Sequence, residues 1–93
     1  MIRSFADSDT KQVFNREYSK NLPDDLQDRA YQKLVMIDSA VDINDLRTPP
    51  GNRLEKLSGN RESQYSIRIN DQWRICFQWK DGDAYSVEIV DYH

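Results

Sequence analysis

The sequence predicts an α+β fold, a small antiparallel β-sheet packed against two N-terminal α-helices, in a single domain spanning residues 1–93. Two patterns carry this expectation. Leu26, Ala30, Leu34, Ile37 and Val41 recur at helical spacing and form one apolar stripe. From Tyr65 onward the period changes to two. Tyr65, Ile67 and Ile69 alternate with Ser66, Arg68 and Asn70; Trp73, Ile75, Phe77 and Trp79 alternate with Arg74, Cys76 and Gln78. Tyr85, Val87 and Ile89 alternate with Ser86, Glu88 and Val90. Three half-buried strands joined by tight turns make a meander, with helices over its apolar face.

The remaining elements follow in chain order. Ile2–Phe5 suits a short first strand. Asp7 or Asp9 caps a helix reaching about Tyr18, with Val13 and Phe14 on its buried side. Tyr18-Ser19-Lys20-Asn21 is a polar connection. The second helix begins near Pro23, where proline is tolerated and Asp24 and Asp25 complement the positive helix end. A short helical turn is expected at Ile43–Leu46, and Thr48-Pro49-Pro50-Gly51-Asn52 reads as a loop.

Parity sets the register. A two-residue turn at Asp71-Gln72 would put the apolar residues of the two strands on opposite faces. A three-residue connection, Asn70-Asp71-Gln72, instead pairs Ile69 with Trp73, Ile67 with Ile75 and Arg68 with Arg74. It sets two arginines directly opposite each other, at a cost of roughly a few tenths of a kcal/mol. Either they splay toward nearby acids, or they form an anion site that needs both charges. The same parity makes Asp81-Gly82-Asp83 the next loop, pairing Lys80 with Ala84 and Arg74 with Val90. Asp91, Tyr92 and His93 then lie beside the arginines at one end of the sheet.

Net charge is −3, which disfavours a general nucleic-acid binder, but its distribution is uneven. Residues 1–45 hold six Lys/Arg against nine Asp/Glu, and residues 77–93 hold one against four. Residues 46–76 reverse the balance, with six (Arg47, Arg53, Lys56, Arg61, Arg68, Arg74) against three. This middle segment is either a solvated polar stretch or a phosphate-tracking one, and arginine's planar fork suits phosphate. The single cysteine excludes an intramolecular disulfide, and no Cys/His cluster suggests zinc. The early acidic residues do not fit a signal peptide, and no apolar run reaches membrane-spanning length, so a cytoplasmic setting with no membrane partner is expected.

Metal-free RNA cleavage needs a base for the 2′-hydroxyl proton, cations for the phosphorane and an acid for the leaving 5′-oxygen. His93 is the one histidine in the chain, so a two-histidine pair is excluded. It can fill one role, assisted by Asp91 or Tyr92. Arg68 and Arg74 would clamp phosphate, Arg53, Lys56 and Arg61 would track the backbone, and Tyr92 could stack on a base. No metal or other cofactor is called for.

These same residues carry a family resemblance. Met1-Ile2-Arg3-Ser4-Phe5, the run Leu54-Glu55-Lys56-Leu57-Ser58-Gly59-Asn60-Arg61, the stretches Tyr65–Asn70 and Trp73–Phe77, and the ending Asp91-Tyr92-His93 together resemble HigB-type toxins of the RelE/ParE superfamily. The resemblance covers essentially the whole chain and is closest to the plasmid-maintenance killer branch that includes GraT. It implies a RelE-like fold and a type II toxin that cuts mRNA in the ribosomal decoding site. It implies neutralisation by a HigA-type helix-turn-helix antitoxin, with operator DNA contacted only through that antitoxin. Asp91, Tyr92 and His93 would be catalytic and Arg74 a phosphate contact.

Two positions depart from the family pattern: Glu55 stands where a second histidine is common, and Ser58 where a lysine is common. A carboxylate keeps acid–base capacity but reverses the charge facing phosphate. Glu55 is therefore either a general base or the mark of a weaker site, with activity lower on free RNA than on the ribosome. Two other functions fit the same fold. A ParE-like inhibitor of DNA gyrase would not require the arginine pair beside Asp-Tyr-His. A non-toxic RNA- or partner-binding module with a decayed site would be marked by Glu55 and Ser58.

Overall fold

The computed structural model describes residues 1–61 and 63–91. Helix α1 spans Ser8–Phe14 and α2 spans Asp24–Ser39. Among the described residues, β1 (Glu55–Lys56), β2 (Gln64–Arg68), β3 (Trp73–Lys80) and β4 (Asp83–Asp91) form an antiparallel sheet in the order β1-β2-β3-β4. The helices lie over the β3–β4 half of one face. Val13 of α1 and Leu26, Ala30, Leu34 and Ile37 of α2 meet Ile67, Ile75, Phe77, Val87 and Ile89 of the sheet in one buried apolar cluster. The predicted α+β architecture is present.

Helix α1 starts as expected: the Asp7 carboxylate accepts from the Thr10 amide at 2.7 Å. It stops at Phe14, short of the expected Tyr18, because Arg16 turns left-handed (φ 62°). The Arg16 guanidinium then lies 4.4 Å from the centre of the Tyr31 ring, tying the chain to α2. At the other end of α2 the predicted apolar stripe loses its last member. The helix ends at Ser39, Ala40 takes its place in the core and Val41 is 81% exposed. The cause is the next turn, Ile43–Arg47. The Asp45 carboxylate accepts from the amides of Val41 and Asp42, both at 3.0 Å, and pulls the chain off the helical path.

Ile2–Phe5 is not a continuous strand. It runs parallel to β4 through two isolated bridges, Ile2↔Ala84 and Phe5↔Val87. Between them the Ser86 amide donates to the Ser4 side-chain oxygen at 2.8 Å instead of to a backbone carbonyl.

The β2–β3 register is the predicted one: Ile67 faces Ile75, Arg68 faces Arg74, and the Ile69 amide donates to the Trp73 carbonyl at 2.9 Å. The β3–β4 hairpin differs near its turn. Its loop has two residues, Asp81 (φ 53°) and Gly82 (φ 83°), so Lys80 faces Asp83 and Trp79 faces Ala84. Between Gln78↔Tyr85 and Cys76↔Glu88, β4 carries an extra residue, so Ser86 and Val87 both stand opposite Phe77. Beyond this bulge the expected pairing of Arg74 with Val90 returns. Ala84, fully buried, thus takes the core position that simple alternation assigns to Tyr85.

Candidate functional site

The sheet face away from the helices carries the even-numbered residues of β2 and β3. Glu55, Ser66, Cys76 and Glu88 form one row of Cα partners across it, and Arg68, Arg74 and Val90 form the next. This face is polar yet closely covered: Ser66 and Cys76 are fully buried, and Arg74 is 8% exposed. Burial pushes the Cys76 thiol above its usual range, with Arg61, Glu88 and Arg74 as its charged neighbours.

Arg74 is the best-held group on the face. Its Nε donates to the Ser66 hydroxyl at 2.9 Å, and Nη2 donates to the Arg53 carbonyl at 2.7 Å. Arg53 sits in the left-handed region (φ 45°) at the end of a short 3₁₀ turn, Pro50–Asn52. Its backbone therefore serves Arg74 while its own side chain is exposed. Glu55, on β1, approaches from the edge, with Oε1 3.8 Å from Arg74 Nη1. A fixed guanidinium beside a half-exposed carboxylate places a phosphate-binding cation next to a proton acceptor.

The other predicted residues are distributed differently. Arg68 and Arg74 are direct Cα partners, but their side chains diverge. Arg68 donates through Nε to the Asn70 carbonyl at 3.0 Å and pairs with Asp71, so the two arginines do not form one clamp. Like charges on facing residues separate when each finds its own acceptor. Arg61 reaches across the open face to Glu88, with Nη1 2.6 Å from Oε1, and also donates to Gln64. Lys56 is exposed on the edge strand. Asp91 is the Cα partner of Trp73 at the Arg74 end of the sheet, and its Oδ2 accepts from Gln72 Nε2 at 3.1 Å. By alternation with Ile89 it falls on the helix side, opposite Arg74. Tyr92 and His93 lie outside the described residues. Among the described residues no group of three or more His, Cys, Asp or Glu is placed to hold a metal ion.

Residues 3–93 match the family of RelE-like toxins of the type II toxin–antitoxin system HigB. The chain belongs to this family. It is 40% identical over 85 residues to Toxin HigB-1 of Vibrio cholerae, covering 90% of each chain. It is 37% identical over 93 residues to Endoribonuclease HigB of Proteus vulgaris, covering all of both. Solved structures of similar fold include a YafQ mutant from E. coli (TM-score 0.65, 10% identity, 98% of this chain and 91% of that one). Another is the heterotetrameric YoeB–YefM toxin–antitoxin complex from Staphylococcus aureus (TM-score 0.61, 23% identity, 100% and 95%). As a type II toxin, this HigB-family chain has an antitoxin as its partner.

Sequence reasoning missed the residues that hold Arg74 in this HigB-family fold. Ser66 was legible as a solvent-face strand residue, and its place diagonal to Arg74 follows from the predicted register. The Arg53 contact uses a backbone carbonyl, which no side-chain pattern marks.

Proposed function

We propose that this chain, as a single domain, is a cytoplasmic endoribonuclease toxin that cuts mRNA in the decoding site of the ribosome and is silenced by a HigA-type antitoxin. The observation that carries the reading is the Arg74–Glu55 pair, with Arg74 fixed by Ser66 and the Arg53 carbonyl and Glu55 half-exposed at the edge of the polar face. In this reading Glu55 takes the proton of a 2′-hydroxyl. The freed oxygen attacks the adjacent phosphorus, and the bond from phosphorus to the 5′-oxygen breaks, leaving a 2′,3′-cyclic phosphate. Arg74 neutralises the charge that builds on the phosphorane. His93, with Tyr92, protonates the departing 5′-oxygen, and Asp91, on the other face of β4, acts by positioning that end of the strand.

Electrostatics supports ribosome dependence. Net charge is −3, and Arg61, Arg68 and Arg74 each already face an acid. These acids compete with phosphate and weaken binding of free RNA, so a larger assembly must present the substrate. Arg53 and Lys56, both exposed, are the backbone contacts nearest this edge.

The test is induction of the toxin with mRNA integrity and DNA supercoiling followed separately. Wild type cuts mRNA and leaves supercoiling intact. Arg74→Ala, Glu55→Gln and His93→Ala each lower cleavage by about 10²–10³-fold. Loss of supercoiling with intact mRNA, or full toxicity in all three variants, would sink the reading.

A further inference from the structure

Away from the Arg74–Glu55 face, an open cleft of about 270 Å³ lies between α2 and the turn joining β2 to β3. Its lining includes Arg29 and Lys33, one helical turn apart on α2, together with Arg68, Asp71 and the backbone at Gly51. Among the described residues, three cations thus meet one acid. Asp71 is committed to Arg68 and is 97% exposed. Lys33 donates to the side-chain oxygen of buried Asn52 at 2.5 Å, a neutral acceptor that leaves two ammonium protons for another partner. No ion pair to Arg29 is present among the described residues. Burial, and after it the nearby Arg29 charge, hold the Lys33 ammonium below the usual lysine range. The Gly51 backbone is open, with space where a side chain would stand.

We infer that Arg29, Lys33 and Arg68 form a second phosphate site, which takes a backbone phosphate of the RNA beyond the one held at Arg74. That RNA is the ligand rests on the ribonuclease reading above. Phosphate chemistry fits the set: two guanidinium forks and an ammonium around a polar cleft. The site also has the right address. Arg68 and Arg74 are Cα partners on adjacent strands, so a chain gripped at one passes close to the other as it rounds the end of the sheet. The divergence of the two side chains then gives two phosphate contacts in place of one clamp. An acidic segment of a protein partner fits less well, because buried Ile69 is the sole apolar residue among the lining residues and offers no anchor pocket.

The test uses the full chain and a short 2′-O-methyl oligoribonucleotide, which lacks the nucleophilic hydroxyl and so reports binding without cleavage. Affinity is measured across a salt series for wild type, Arg29→Gln, the Arg29→Gln/Lys33→Gln pair, and Lys80→Gln at the opposite end of the sheet. The double variant should bind roughly tenfold more weakly. Its slope of log K against log salt should be shallower by about 0.7, the share of one single-strand phosphate. Arg29→Gln, an exposed change that spares the Asn52 contact, should show a smaller shift of the same sign. Lys80→Gln should match wild type. Equal slopes in wild type and both cleft variants, or an equal loss in Lys80→Gln, overturn the site. Inorganic phosphate that shifts the NMR signals of Arg29 and Lys33 while the oligonucleotide does not would reduce the cleft to a free-anion site and overturn the RNA assignment. Weakened antitoxin binding with unchanged RNA binding would do the same in favour of a protein ligand. Because the probe is inert, a chain that binds it through this cleft yet cuts no mRNA would fail the catalytic reading and keep this one.

Discussion

The two hairpins of the sheet solve the same problem differently. The β2–β3 hairpin keeps one register from Arg68↔Arg74 to Gln64↔Gln78, so its faces follow strict alternation. The β3–β4 hairpin begins one residue out of step at its tight Asp81-Gly82 turn and corrects itself at Ser86. A hairpin loop fixes register locally, whereas burial of an apolar face fixes it along the whole strand. Where the two disagree, a bulge absorbs the difference. Here it does so before the chain reaches Val90 and Asp91, so the functional end of β4 is aligned by the core and not by the turn.

Phe77 is where this comparison is most easily broken. It is fully buried opposite the bulge, and its ring lies 6.4 Å from Tyr65 across the first hairpin and 6.3 Å from Trp79 along its own strand. Phe77→Ala should lower stability by about 3–5 kcal/mol in urea unfolding. A loss below about 1 kcal/mol would mean that the hairpins are not joined through this side chain.

The first hairpin, with its facing arginines, was legible from alternation alone, because nothing interrupts Tyr65–Ile69 or Trp73–Trp79. The second was legible only at its far end. Parity counts residues, and one extra residue at Ser86 compensated for one residue too many assigned to the loop. Val41 shows a similar limit. Its place in the helical stripe was right by spacing and wrong in space, since the Asp45 carboxylate competes for its amide. At the site, alternation put Arg74 on the polar face and the family resemblance drew attention to Glu55, but the short strand that brings Glu55 to Arg74 was not read from the sequence. Alternation left two outcomes open for Arg68 and Arg74, splaying to nearby acids or sharing an anion. They splay, but the partners of Arg68, Asp71 and the Asn70 carbonyl, were not legible. Nor was the part played by Arg29 and Lys33, which no sequence pattern marks and which appears only once α2 stands beside that turn.

Backbone strain gives a finer contrast within the second hairpin. Both Gly82 and Ser86 have positive φ, but one is glycine and the other is not. A Cβ at Gly82 would also stand 3.3 Å from the Val41 carbonyl. Gly82→Ala should therefore destabilise by about 1–2 kcal/mol. Ser86→Gly removes a similar steric penalty but adds freedom to the unfolded chain, so it should stabilise by a net of only about 0.5 kcal/mol. The Ser86 amide bond to Ser4 survives that change. Urea unfolding of the two variants should show opposite signs. A destabilised Ser86→Gly would show that the serine side chain, not the bulge backbone, holds the register.

The smallest expected effect concerns the charge at the base of the same hairpin. Asp83 accepts from Arg3 Nε at 3.1 Å and lies 3.3 Å from the Met1 ammonium, tying the N-terminal segment to β4. The Arg3 hydrogen bond, ahead of the ammonium, holds the Asp83 carboxyl below its usual 3.8, against a smaller opposing push from burial. A lowered folded value means that the unfolded chain binds its proton first as the solution is acidified. The contribution is therefore complete above pH 3.8 and is lost as pH falls through the lower folded value. Solvent reaches this pair, so its size is small and falls with salt. Asp83→Asn should unfold slightly earlier than wild type at neutral pH, and the two curves should converge as the pH drops below 3.8. Arg3→Gln should reproduce most of that difference, because Arg3 is the leading cause of the shift. Asp71→Asn, which removes the exposed acid at the turn of the first hairpin, gives the matching measurement. A pH dependence as large there as at Asp83 would mean that the N-terminal strap adds nothing special to the second hairpin.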